Sequence, residues 1–339
     1  MSLPASAVLE NYENVQKQIL PDVTVDFRRF DFTTEASPSD PKKSRVKLID
    51  EQGRDYILSD LSKKQIGTIF GFKWDQWFNS DLVDFQRAAE EIRTRAQARA
   101  DMGEEHNIIR VMKPMTHGES RLCRGIVSGS YVHIDDGDFL SVVANKAEEL
   151  GLNDLKFTKF RTSAANPLSR YAFTWGDPVE MKSGEYFRGM SIKNSDVGFS
   201  SLIIDEYWWR LVCTNGMIAM ADQNALYKRR HTGKGLERFD RTFEGLLTKA
   251  TEDFAKTEMR MRHADTVPIT METAVEGMKR LKVTLSEIEE IQGLLESQVY
   301  PMTYMGVVNS LTQTARDHKN PARGSELEKV AGKLILRVN

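Results

Sequence analysis

Three aromatic side chains stand directly before an arginine in the segment Tyr207-Trp-Trp-Arg-Leu-Val-Cys213. Successive side chains of a strand point to opposite faces, so Trp208 and Arg210 would share one face. An indole beside a guanidinium suits single-stranded nucleic acid, because bases stack on the ring while the guanidinium binds phosphate. The structural alternative is that C-terminal helices cover Trp208. The segment therefore predicts either a nucleic-acid contact or a part of the core.

Basic residues cluster on both sides of this segment. Residues 227–241 contain six basic and two acidic side chains, and residues 156–193 contain seven basic and three acidic ones. Such clusters can follow a phosphate backbone without reading its bases. For residues 228–230 the alternative is a solvated start of a helix. The predicted nucleic-acid contacts are Arg170, Arg188, Lys193, Trp208, Arg210, Lys228, Arg229 and Arg230.

Acidic residues in two places could bind Mg²⁺ if the fold brought them together. They are Asp135, Asp136, Asp138, Asp205 and Glu206. The spacing is not diagnostic, and Asp136 and Asp138 also suit the first turn of a helix. A Mg²⁺-dependent nuclease is therefore an alternative function. We predict no catalytic residue and favour a non-catalytic role, leaving open whether the chain is an enzyme.

Motifs for other cofactors are missing from the sequence. The six histidines are not at paired metal-ligand spacing, and there is no Cys-x-x-Cys, P-loop or dinucleotide-binding fingerprint. The two cysteines, Cys123 and Cys213, stand far apart inside apolar runs, where cysteine packs as a small hydrophobe. We predict no metal, no cofactor and no structural disulfide.

A polar turn, Asn194-Ser-Asp-Val-Gly198, precedes the aromatic segment. Its Asn, Ser and Asp side chains can bond their own backbone amides, which favours a stable connection between strands. An anion-binding nest and a metal corner are the functional alternatives.

The composition indicates a folded protein. The chain has 339 residues, 40% of them hydrophobic, and a net charge of −2, so any attraction for nucleic acid must be local. It contains no apolar run of membrane-spanning length and no signal peptide at its start. We predict a cytoplasmic protein with no membrane association.

The hydrophobic pattern changes twice along the chain and predicts an α+β fold. A small N-terminal α+β module (1–105) precedes a β-rich domain (106–234) with a central, mostly antiparallel sheet, and a C-terminal helical layer (235–339) follows. Helices are predicted after the capping residues Ser59 and Asp60, after the run Asp135-Asp-Gly-Asp138 and after the capping box at 284–287.

Several motifs together resemble a family found on phages and plasmids, domain of unknown function 932. The matching pieces are residues 58–65, Arg124 with Ser128, Tyr131, Ile134 and Asp135, Gly189 with residues 194–198, residues 210–216, Arg230-His231, residues 308–312 and residues 327–332. The resemblance spans nearly the whole chain and is most specific from Asn194 to Gly216. It implies a phage or mobile-element setting and a role near DNA processing.

These observations together predict a DNA-binding protein that grips single strands during replication, recombination or strand annealing. Several subunits side by side would hold a long strand best, so an oligomer such as a ring or filament is expected. The rival from another class is a host-interaction protein, for example an anti-restriction or nuclease-inhibiting module, whose exposed aromatic and basic residues contact protein.

Overall fold

The computed structural model describes residues 5–37, 40–73, 85–104, 109–117, 120–128, 131–152, 154–161, 167–210, 217–219, 226–231, 235–319 and 321–338. Within these ranges, helices and two mostly antiparallel sheets form a mixed fold. The predicted α+β class is therefore confirmed.

The elements are numbered in chain order. The strands are β1 (Val23–Asp26), β2 (Asp31–Ser37), β3 (Asp40–Ile49), β4 (Asp55–Leu58), β5 (Ile109–His117), β6 (Ser120–Ser128), β7 (Lys156–Arg161), β8 (Ser169–Thr174), β9 (Val179–Met181), β10 (Gly184–Asn194), β11 (Leu202–Arg210), β12 (Met217–Ala219) and β13 (Tyr227–Arg229). The helices are α1 (Ala5–Gln16), α2 (Asp60–Phe70), α3 (Phe85–Asp101), α4 (Asp136–Glu149), α5 (Gly235–Thr266), α6 (Met271–Arg280), α7 (Leu285–Glu296), α8 (Tyr304–Asp317) and α9 (Pro321–Ile335).

The first sheet has the strand order β1-β5-β6-β4-β3-β2, and only the β4–β6 pair is parallel. One apolar cluster joins its strands to α2 and α3 and includes Phe27, Leu48, Ile66 and Ile92. Strands β5 and β6 lie beyond residue 105 in sequence, so this sheet crosses the predicted domain boundary. The division into three domains stays a prediction.

The second sheet has the order β12-β11-β10-β8-β7, with β13 paired to β11 and β9 paired to β10, all antiparallel. Its largest apolar cluster joins the strands to the C-terminal helices, with Phe239, Phe243 and Phe254 of α5 among its members. Strand β12 pairs with the end of β11. Cys213, at the end of the aromatic segment, lies outside the described residues.

Helix starts agree with the capping signals in the sequence. The Ser59 side chain accepts a hydrogen bond from the Ser62 amide, and Asp135 accepts one from the Gly137 amide. Thr284 and Glu287 form the predicted capping box at the start of α7. Each cap satisfies amides that the first turn leaves without a partner inside the helix.

Side chains from the first sheet and from α2 hold the turn that leaves β10. The guanidinium of Arg124 in β6 binds the Asp196 carboxylate at 2.5 and 3.0 Å. Gln65 of α2 accepts from the Ile126 amide at 2.7 Å and donates to the Val197 carbonyl at 2.8 Å. Each of these bonds joins residues more than sixty positions apart, so the turn is fixed by tertiary contacts.

Cys123 is a buried free thiol, and burial raises its pKa to about 12. It packs in the apolar cluster of the first sheet, as its sequence context predicts. None of the helices in the described part of the chain combines the length and the apolar character that crossing a bilayer requires.

Candidate nucleic-acid interface

Trp208 is completely buried, so its predicted role as a surface contact is wrong. Its ring meets Phe254 of α5 edge to face at 5.5 Å between centroids, and its indole N–H donates to Glu206 Oε1 at 2.9 Å. The expectation that Trp208 and Arg210 share one face of β11 is correct, because side chains along a strand alternate between its two faces. Helix α5 covers that face, which is the structural alternative that the sequence left open.

Arg170 and Lys193 are also buried, which corrects their assignment as contacts. Arg170 Nη1 lies 2.8 Å from Glu328 Oε2 in α9, and Lys193 Nζ lies 2.7 Å from Asp205 Oδ2 in β11. Burial lowers the pKa of Lys193, although the Asp205 carboxylate acts in the opposite direction. Both cations neutralise carboxylates inside the fold and are inaccessible to a polyanion.

Arg188 and Arg210 are partly buried, and their guanidinium groups already contact other groups of the protein. Arg188 Nη2 binds Glu258 Oε2 of α5 at 2.6 Å, with 39% of its side chain exposed. Arg210 donates to the Ser183 carbonyl, and its guanidinium lies over the Tyr300 ring at 5.3 Å. These contacts hold both arginines against the second sheet and its helices.

The predicted contacts do not form one surface. Arg188 stands opposite Trp208 in the sheet, whereas Arg229 stands opposite Leu202 at the other end of β11. Six residues of strand separate these two register positions, which corresponds to about 20 Å. The predicted set of eight is therefore divided between the interior and separate parts of the sheet.

Lys228, Arg229 and Arg230 keep the accessibility that phosphate binding needs. Lys228 and Arg230 are exposed and Arg229 is half-buried, at the edge where β13 pairs with the start of β11. Within the described residues, none of the three forms an ion pair with a carboxylate. Their assignment as nucleic-acid contacts stays a prediction.

A pocket of about 360 Å³ opens beside these cations. Its lining comes from three separate segments of the chain and consists of Tyr131, Gly198, Phe199, Ser200, Ser201, Arg230 and His231. Phe199 has 55% of its surface exposed, which is unusual for a large apolar side chain. The pocket therefore presents an aromatic ring and a guanidinium to solvent together.

The turn at 194–198 positions Phe199 through its own hydrogen bonds. Ser195 Oγ accepts from the Phe199 amide at 3.0 Å, and the Ser195 carbonyl accepts from the Tyr131 hydroxyl at 2.7 Å. Gly198 adopts the left-handed conformation, with φ of 75°, that lets the chain reverse before Phe199. The turn is thus a stable connection, and it also forms part of the pocket wall.

A buried polar group anchors the start of this turn. The side-chain amide of Asn194 donates from Nδ2 to the Ile134 carbonyl at 2.9 Å and to Asp136 Oδ1 at 2.6 Å. The Tyr171 hydroxyl donates to Asp136 Oδ2 at 2.7 Å. Burial raises the pKa of Asp136, and these hydrogen bonds oppose that shift. The turn therefore begins from a side-chain network inside the fold.

His231 forms the inner wall of the pocket. Its ring stacks on Tyr131 at 5.0 Å between centroids with an interplanar angle of 9°, and only 3% of the residue is exposed. The His231 carbonyl accepts from the Val132 amide at 3.0 Å. Burial lowers the pKa of the imidazole, with opposing effects from the Val132 backbone and Asp196.

Four of the five acidic residues considered for Mg²⁺ are bound to other groups of the protein. Asp135 caps α4, Asp136 binds Asn194, Asp205 binds Lys193, and Glu206 accepts from the Trp208 indole. In the described ranges, no three His, Cys, Asp or Glu side chains come together as metal ligands. The described carboxylates therefore provide no support for the nuclease alternative.

Phe199, Tyr131 and His231 were missed as a site by sequence reasoning. Tyr131 and His231 belong to motifs of the family resemblance, but they are 100 positions apart and nothing local shows that their rings stack. Phe199 follows a turn-forming segment and precedes two serines, so the sequence gives no signal that its ring stays exposed.

Comparisons with known proteins identify one region. No curated protein and no solved structure matches the chain. A family model described as a domain of unknown function (DUF932) matches residues 177–331, which include β10, β11, the 194–198 turn, Arg230-His231 and most of the C-terminal helices. Residues 177–331 of this chain are therefore similar to the DUF932 family.

Proposed function

We propose that this protein binds single-stranded DNA at the pocket formed by Phe199, Arg230 and His231. Bases would stack on the exposed Phe199 ring, while Arg230 and the neighbouring Lys228 and Arg229 bind phosphates. The contact surface thus keeps three of the basic residues predicted from the sequence and replaces Trp208 with Phe199.

One observation carries the proposal: Phe199 and Arg230 line the same open pocket. An aromatic face together with a cation is the arrangement that binds single strands without sequence preference. Stacking on one aromatic side chain contributes roughly 1–3 kcal/mol per base. Phe199 alone would therefore produce a measurable part of the affinity.

Local charge supports the same function. The chain as a whole has a net charge of −2, so long-range attraction for DNA is weak. The three consecutive cations at 228–230 lie at a sheet edge next to the pocket and carry no ion pair within the described residues. Such a site would bind through few phosphates, and its affinity would fall as salt rises.

The biological setting belongs to the same proposal. The family resemblance supports an origin on a phage or plasmid and a role in replication, recombination or strand annealing in the bacterial cytoplasm. A homo-oligomer, in the form of a ring or filament, would place several pockets along one strand and increase the total affinity.

Fluorescence anisotropy with a labelled single-stranded oligonucleotide of about 16 nucleotides tests this proposal. We expect the parent protein to bind and to lose affinity between about 50 mM and about 200 mM salt. Phe199→Ala should weaken binding about tenfold at either salt concentration. Arg230→Glu should weaken binding more at low salt than at high salt, because the substitution replaces a phosphate-binding positive charge with a negative charge that repels phosphate.

Two matched substitutions control for general effects. Leu285→Ala removes another exposed apolar side chain, and Lys279→Glu reverses another exposed charge, and neither residue lines the pocket. Both controls should bind like the parent. Binding that Phe199→Ala and Arg230→Glu leave unchanged would refute the proposed site. A parent that binds no DNA would instead favour the host-interaction alternative.

A further inference from the structure

Two side chains outside the pocket hold the segment of chain that leads into Phe199. The Arg124 guanidinium binds both carboxylate oxygens of Asp196, at 2.5 and 3.0 Å, and Gln65 Nε2 donates to the Val197 carbonyl at 2.8 Å. Neither Arg124 nor Gln65 lines the pocket, and both precede the family-matched region, which begins at residue 177. Two of the three residues directly before Phe199 are therefore bonded to β6 and α2.

Close packing restricts the same segment. A Cβ at Gly125 in β6 would lie 2.7 Å from the Cβ of Val197 and 3.0 Å from the Val197 carbonyl oxygen, so the turn approaches the strand as closely as a glycine allows. Val197 is completely buried. On the pocket side, a Cβ at Gly198 would lie 3.2 Å from the Val127 side chain. The backbone before Phe199 therefore has no room to shift toward the first sheet.

This restraint has a consequence for an exposed aromatic ring. The hydrophobic effect is non-directional, so a ring on a free loop would pack against any apolar surface within reach. A loop that is ordered before binding also loses less conformational entropy when a ligand binds. Building on the proposed DNA binding, we infer that Arg124 and Gln65 are positioning residues of the site. They hold the Phe199 ring in place for stacking and do not contact DNA themselves.

Loss of this restraint should weaken the stacking part of binding and leave the phosphate part in place. The cations at 228–230 lie on and beside β13, which is held by its pairing with β11. Gln65→Leu removes both hydrogen bonds of the side chain and should weaken binding of a single strand about three- to tenfold, the order of the cost of ordering a side chain on binding. A strand of abasic spacers, which offers phosphates but no bases, should bind this variant and the parent equally.

A double-mutant cycle with Phe199→Ala separates positioning from general loss of stability. Affinities are measured by fluorescence anisotropy for the parent, both single variants and the double variant. In the Phe199→Ala background, Gln65→Leu should have no further effect, because no ring remains to be positioned. Arg124→Gln should behave in the same way and provides the cycle if Gln65→Leu does not fold. Arg124→Lys can still pair with Asp196 and should retain part of the lost affinity.

A destabilised variant far from the pocket provides the control. Ile291 is completely buried in α7 and does not line the pocket. Ile291→Val should lower the midpoint of thermal unfolding and bind DNA like the parent. All variants are compared at a temperature below the onset of their unfolding.

The outcomes separate this inference from the proposed function. If Phe199→Ala weakens binding but Gln65→Leu and Arg124→Gln do not, the positioning role is refuted and DNA binding at the pocket stands. Equal weakening by Gln65→Leu in the parent and in the Phe199→Ala background would also refute it, because the loss would not act through the ring. A parent that binds no strand at low salt would refute the proposed function and, with it, the inference.

Discussion

Arg170 in β8 and Glu328 in α9 form a buried ion pair across 158 positions of sequence, with Nη1 and Oε2 2.8 Å apart. The pair attaches the C-terminal helix to the second sheet. Both side chains are almost inaccessible to water, so the ion pair replaces hydration that both charges have lost.

Removing one partner of this pair should destabilise the protein strongly. Glu328→Ala removes the carboxylate that lies against the buried Arg170 guanidinium, and we expect the free energy of unfolding to fall by about 3–5 kcal/mol. Glu276→Ala is the matched control, because it breaks an exposed pair with Arg280 and should cost about 0–1 kcal/mol. Urea unfolding of the two variants and the parent measures the difference. Equal losses of stability in the two variants would show that the Arg170–Glu328 pair is not buried in solution as it is in the structure.

Substitution by alanine should affect stability strongly at one aromatic residue and hardly at another. Trp208→Ala opens a cavity beneath α5 and should lower the free energy of unfolding by about 3–5 kcal/mol. Phe199→Ala removes a ring that is already in solvent and should change stability by about 0.5 kcal/mol or less. Thermal or urea unfolding distinguishes the two. A large loss of stability in Phe199→Ala would mean that its ring has a structural role.

Acid should weaken one contact between C-terminal helices. Hydrogen bonds from Arg323 hold the pKa of Glu287 at about 2, below its ordinary value of 4.5. The unfolded carboxylate therefore takes up a proton first as the pH falls. The contribution of Glu287 is complete above about pH 4.5 and is lost progressively toward about pH 2, with a size of the order of 2 kcal/mol.

Glu287→Gln removes this titration and provides its test. At neutral pH the variant should be less stable than the parent, because Arg323 and the capping box lose a charged partner. The difference in urea midpoint should narrow as the pH falls from about 5 to about 3. Parallel curves over that range would show that Glu287 titrates normally in the folded protein.

Two glycines in the C-terminal helices should differ in their tolerance of a methyl group. A Cβ at Gly306 would lie 1.8 Å from the Pro301 carbonyl oxygen, whereas one at Gly293 meets nothing within 4 Å. Gly306→Ala should therefore destabilise the start of α8 by more than about 1 kcal/mol, which is the usual loss of stability when an extra methyl group is forced into a packed site. Gly293→Ala should stabilise α7 by about 0.5–1 kcal/mol. Unfolding midpoints that move in the same direction would contradict this assignment.

Local signals predicted much of the fold. Capping residues predicted the starts of α2, α4 and α7, and the hydrophobic pattern predicted the helical layer that begins at residue 235. These features depend on residues only a few positions apart. The pairing of distant strands depends on tertiary contacts instead, so no local pattern predicts that β5 and β6 join the first sheet.

The candidate site shows the same limit. Alternation placed Trp208 and Arg210 on one face correctly, but whether that face is open depends on α5, which begins 25 residues later in the chain. Lys193 and Arg170 appeared as free cations because Asp205 and Glu328 become their partners only in the fold. An exposed Phe199 has no sequence signature, since exposure depends on what the rest of the chain leaves uncovered.

Crosslinking gives the most direct test of DNA binding at the pocket. A single strand that contains bromodeoxyuridine would be irradiated with the protein, and the linked residues identified by mass spectrometry of tryptic peptides. The account predicts crosslinks at Phe199, in the peptide spanning residues 194–210, or at Tyr131, and their loss in Phe199→Ala. Crosslinks confined to residues outside the pocket would contradict it.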